Sequence, residues 1–156
     1  MALTEVRKGI YTNSGNGISG KEGPILLVHP FYGEPAGPSD KWKQYLARIG
    51  SLCSRSRPLI VMEEWHQFDR TVERLRDLGR VNGTYFIGLS CTGWYPKDIG
   101  WKDVADFLAY FEGEPLTCGG GYYTQDGPGG CLNNAVKEIS KSRPDMKIEV
   151  MGEATF

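Results

Sequence analysis

The residues best suited to chemistry lie in Thr117–Asn134, TCGGGYYTQDGPGGCLNN. Two glycine clusters, Gly119–Gly121 and Gly127–Gly130, flank a polar turn, and Cys131 follows at the start of a run with helical character. The pattern predicts a strand that ends in a glycine-rich loop and passes into the first turn of a helix. Backbone in such a loop can approach a ligand closely, and unpaired N–H groups at a helix start favour an anion. A cysteine there is a candidate thiolate nucleophile, with the loop amides as an oxyanion hole. The same residue type also packs as a small buried hydrophobe, since free cysteine is among the most buried residues. The loop matches neither a dinucleotide fingerprint nor a phosphate-binding P-loop.

Other groups could serve the same centre. His29 ends an apolar run, and Glu34 follows it beyond a turn. Either could take the thiol proton. Lys97 stands in the loop after a later apolar run and could hold an anion or a developing oxyanion. Glu64 and His66, two residues apart just past another run, could share a divalent metal, with His29 as a third ligand. Read more simply, they are a hydrogen-bonded histidine and a helix-capping carboxylate. Trp94, Tyr95, Tyr122 and Tyr123 are candidates for pocket walls, and Gly129 and Gly130 for backbone contacts to substrate.

These residues need elements to position them. Apolar runs at Ile25–Val28, Leu59–Met62, Tyr85–Leu89, Leu116–Gly121 and Ile148–Met151 predict five strands. Between them, four helical faces recur at the expected spacing: Trp42, Tyr45, Leu46, Ile49 and Cys53; Phe68, Val72, Leu75 and Leu78; Val104, Phe107, Leu108 and Phe111; Leu132, Ala135, Val136 and Ile139. Strict alternation predicts an α/β fold, a single doubly wound, mostly parallel five-stranded sheet with helices on both faces. Residues 1–23 read as a polar, glycine-rich arm in which Val6, Ile10 and Tyr11 could dock a short strand; residues 24–156 read as one α/β domain. Ligands of open α/β sheets bind beyond the carboxyl ends of the strands. That rule gathers His29, Glu34, Glu64, His66, Cys91, Lys97, Tyr122 and Cys131 at one edge.

Composition narrows the classes. With 156 residues the chain can bury a proper core, and a net charge of −1 offers no footprint for nucleic acid or an anionic membrane. No apolar run approaches a membrane span, and the N-terminus lacks a signal-peptide core. Four cysteines without a CxxC pair predict reduced thiols and a cytoplasmic protein.

Order and spacing over Ile25–Met151 resemble the isochorismatase-like cysteine hydrolases, which include the nicotinamidases. PILLVH resembles their first strand, Glu64-Trp65-His66 their Asp-Trp-His metal motif, and Lys97 and Cys131 sit in the places of their lysine and cysteine. The sequence departs from that pattern where His29 replaces the acidic residue of the first strand, and where no second metal histidine follows His66. The resemblance implies hydrolysis of C–N or ester-like bonds through a covalent cysteine intermediate. The leading expectation is therefore a hydrolase of small amide or related acyl substrates, with Cys131 attacking and His29 or Glu34 as base. It needs no cofactor beyond a candidate divalent metal, and a homo-oligomer is compatible with it. The alternative is a non-catalytic ligand-binding or interaction domain in which Cys131 merely packs.

Overall fold

The computed structural model describes residues 3–13, 23–32, 34, 36–37, 39–53, 57–80, 83–92, 95–111, 113, 115–121 and 130–156. Seven strands form one sheet: β1 (Thr4–Arg7), β2 (Ile10–Thr12), β3 (Ile25–Val28), β4 (Leu59–Glu64), β5 (Thr84–Leu89), β6 (Leu116–Gly120) and β7 (Ile148–Thr155). Four helices lie between them: α1 (Asp40–Cys53), α2 (Phe68–Asp77), α3 (Trp101–Ala109) and α4 (Cys131–Ser142). The strand order is β1-β2-β5-β4-β3-β6-β7.

The α/β class holds, but the expected five-stranded, mostly parallel sheet is corrected to a mixed sheet of seven. The five predicted strands are present and pair in parallel. The two additional strands come from residues 4–12 and run antiparallel, β1 on β2 and β2 on β5. Ile10 carries that addition. It is buried opposite Ile87, and β2 pairs its backbone with an edge of β5 that would otherwise be open. Three residues of alternating burial are too short a signal to compete with the polar composition around them.

Every residue of β3 is buried, because helices cover both faces of this central strand. Side-chain alternation sorts the core into two halves. Ile25, Leu27, Leu59, Val61 and Phe86 pack with Trp42, Tyr45 and Ile49 of α1 and with Phe68, Val72 and Leu75 of α2. Leu26, Val28, Ile60, Met62 and Ile87 pack with Val104, Phe107 and Leu108 of α3 and with Leu132, Ala135 and Ile139 of α4.

The amino-terminal end of the sheet is fastened by two buried arginines. Arg57 donates to the carbonyls of Gly23, Pro24 and Pro115 and to the Thr117 hydroxyl, at 2.6, 3.3, 3.1 and 2.8 Å. Arg80 donates to the carbonyls of Cys53, Arg57 and Gly83 at 3.1, 2.7 and 2.9 Å. A guanidinium offers five donors in a rigid fork, so one side chain ties together carbonyls from several connections at this end of the sheet.

Candidate active site

At the carboxyl end of the sheet the strand order reverses between β3 and β6. A crevice forms at such a reversal because the connections leave the sheet in opposite directions. His29 immediately follows β3, and its amide extends the ladder by donating to the Met62 carbonyl at 3.0 Å. Its backbone then turns left-handed, with φ of 45°. No other non-glycine among the described residues does so. That conformation costs a residue with a Cβ roughly 1–2 kcal/mol, and it persists only where surrounding contacts hold it.

The His29 ring is 2% exposed. Its Nδ1 meets Oε1 of Glu63 in a short contact. Glu63 is the fifth residue of β4 and is equally buried. The same carboxylate oxygen accepts the Glu64 backbone N–H at 2.9 Å. Cys131 lies close enough to the ring to favour its charged form. Burial works against a charged imidazole here, but Cys131 and the bond to Glu63, together with the negative charge of Glu63, overcome it. The outcome is a His29 pKa pushed up to about 10. At neutral pH the ring is an imidazolium between a carboxylate and a sulfur.

Cys131 is partly exposed and is the first residue of α4. Gly130 stands before it with φ of 101°, a backbone that side chains other than glycine's rarely adopt. The first helical bond of α4 runs from the Asn134 N–H to the Gly130 carbonyl, at 3.1 Å. The Cys131 and Leu132 amides therefore lie ahead of the first carbonyl their own helix could offer them. Elsewhere, burial pushes the thiols of Cys53 and Cys118 up to about 12.

The first glycine cluster has a steric explanation. A Cβ on Gly120 would lie 2.1 Å from the Val28 carbonyl oxygen, and one on Gly121 would lie 2.9 Å from that of His29. Side chains here would push β6 away from the end of β3. Among the expected backbone contacts, Gly130 lies beside Cys131, whereas Gly129, Trp94, Tyr122 and Tyr123 lie outside the described residues.

The remaining candidates have other partners. Both Glu34 oxygens are bound by α2, one to Arg74 at 2.6 Å and the other to Arg70 at 3.0 Å. The Lys97 ammonium rests over the Trp65 ring, 4.8 Å from its centroid, and its amide donates to the Gly88 carbonyl at 2.8 Å. Tyr95 is exposed, and its carbonyl accepts the Ser90 N–H at 2.9 Å. Glu64 Oε2 and His66 Nε2 bond to each other at 3.1 Å. Among the described residues no third histidine, cysteine or acid joins them, nor do three such residues gather elsewhere so as to hold a metal ion.

Glu63 is the residue that sequence reasoning missed. Attention fell on Glu64 and His66 because they resemble a motif. Strand periodicity contains the missing signal: Leu59, Val61 and Glu63 share one face of β4, as Ile25 and Leu27 do in β3. The parallel register pairs Leu27 with Val61, which brings the residues two further on, His29 and Glu63, side by side. Comparison of the chain with protein-family models, curated proteins and solved structures finds no match to any of them.

Proposed function

We propose that the chain is a hydrolase of small amide or related acyl substrates in which Cys131, His29 and Glu63 act as nucleophile, proton carrier and orienting carboxylate. The carrying observation is that one buried imidazole bonds the Glu63 carboxylate at the end of β4 and has the Cys131 thiol, at the start of α4, close by. Glu63 holds Nδ1, which leaves Nε2 as the nitrogen able to exchange a proton with sulfur. In the acylation step the Cys131 sulfur attacks with its proton already held by His29, and a C–S bond forms at the substrate carbonyl. The C–N bond then breaks and His29 returns the proton to the leaving nitrogen. Water, giving its proton to the now neutral His29, adds to the thioester, and collapse releases the acid and the sulfur beside the reprotonated imidazole. The Cys131 and Leu132 amides are suitably placed to receive the developing oxyanion.

The likeness to isochorismatase-like hydrolases supports this reading in the placement of the cysteine at a helix start after a strand. Their first-strand acid is His29 here, and the carboxylate comes from the neighbouring strand. The doubly wound arrangement of β5-β4-β3-β6-β7 is consistent with that likeness. Lys97 has no step in this scheme.

Reaction with p-nitrophenyl acetate, followed by release of nitrophenol and by peptide mass spectrometry, tests the proposal. The expected result is a burst with an acetyl group on the Cys131 peptide, absent in Cys131→Ala. Labelling no faster at Cys131 than at exposed Cys91 would transfer support to the non-catalytic domain.

A further inference from the structure

His29 is not held by its ring alone. Tyr45 of α1, itself buried, donates its hydroxyl to the Pro30 carbonyl at 2.5 Å. The Phe31 ring lies under the Arg74 guanidinium at 5.5 Å. Glu34 is gripped by Arg70 and Arg74 of α2. Three successive fastenings, at positions 30, 31 and 34, therefore attach the segment leaving β3 to two helices on the same face of the sheet. They begin at the residue directly after the one described non-glycine with left-handed backbone. A strained backbone survives where its surroundings over-determine it, and catalytic side chains need support from groups that never touch substrate.

Resting on the reading of the site above, we infer that Tyr45, Glu34 and Arg74 are positioning residues that hold His29 in its left-handed turn, so that one imidazole spans Glu63 and Cys131. Glu34 then does not take a proton from the thiol; its charge is spent on two arginines. If the segment relaxed to ordinary backbone, the ring would swing away from at least one neighbour. The groups that face the ring are Glu63 from β4, Cys131 from α4 and Tyr32 from its own turn, the last with ring centroids 5.2 Å apart. Burial, with smaller effects of Cys53 and Glu63, pushes the Tyr45 phenol pKa up.

The chain has two histidines, so their ring C–H signals can be followed separately by NMR during a pH titration. In the unaltered protein His29 should titrate far above 6.5. Tyr45→Phe, Glu34→Ala and Arg74→Ala should each lower its midpoint by a unit or more and slow acetylation of Cys131 about tenfold. Arg74→Lys, which keeps one charge on Glu34, should recover part of both effects. Glu34→Ala alters a partly exposed residue, which keeps the test usable if Tyr45→Phe folds poorly. A high midpoint that none of the variants moves, with or without a loss of thermal stability, would overturn the positioning role and leave the triad standing. An unaltered protein in which His29 titrates near 6.5 would overturn the triad itself.

Discussion

Glu63→Gln is the most direct challenge to the charge arrangement at the site. Glutamine preserves the shape and can still accept from the imidazole and from the Glu64 amide, but it removes the charge. A rise in the His29 pKa from 6.5 to about 10, at about 1.4 kcal/mol per unit, amounts to roughly 5 kcal/mol in favour of the imidazolium. Because the pKa is higher in the folded chain, this stabilisation is complete below pH about 6.5. It is lost progressively as pH rises and is gone above about 10. Between pH 6.5 and 9 the group alone should therefore cost the protein roughly 3 kcal/mol of folding stability. In Glu63→Gln the carboxylate charge no longer helps Cys131 offset burial, so the same interval should cost clearly less from this group. Urea denaturation of both proteins at several pH values measures the difference directly, and other titrating groups cancel in the comparison. The stability gap should be widest near pH 6 and should close as pH rises. Two curves running parallel from pH 6 to 9 would show that Glu63 does not set the charge of His29.

Other consequences are open to measurement. Iodoacetamide at neutral pH should modify Cys131 well ahead of Cys53 and Cys118, whose thiols burial holds at about 12; equal rates in the folded protein would contradict the site geometry. Gly120→Ala should prevent stable folding or sharply lower the melting temperature. Its Cβ meets the Val28 carbonyl at 2.1 Å and its φ is 122°; a melting temperature within a degree of the original would refute that close approach. Arg57→Met removes the four hydrogen bonds described above, which at about 1 kcal/mol each should lower stability by at least roughly 4 kcal/mol in urea titration.

Much of the frame was legible because burial on two faces writes continuous apolar runs. Ile25–Val28 and Leu59–Met62 announce central strands, and the spacing of Val104, Phe107 and Leu108 announces a helix. The position of Cys131 at the start of α4 was equally readable from Gly130 and the apolar spacing behind it. What composition hides is pairing. Whether His29 or Glu34 faced the thiol depended on contacts with Arg70 and Arg74, about forty positions away in sequence. Periodicity puts Glu63 on the face of Leu59 and Val61, but that this face brings it to His29 depended on the register of β4 against β3, which no local pattern reveals. The first glycine cluster looked like a ligand cradle, because a need for close backbone approach and a need for ligand contact select the same residue.

The antiparallel pairing of β2 with β5 also has a consequence for how the chain is made. Ile10 pairs with Ile87, so the earlier strand leaves the ribosome long before the edge it will occupy exists. Until residue 87 has emerged, Ile10 and Tyr11 can pair only with β1 on one side, and the growing chain must keep their other edge from pairing elsewhere. The polar sequence around them, rich in glycine and asparagine, suits that wait, since it has little tendency to associate with other nascent chains. Closing so long a loop is also slow compared with local helix formation. The parallel strands and their helices can assemble by short steps along the chain. The segment synthesised before all of them is then fitted to the sheet as a late event, completing an edge that the rest of the molecule had to build first.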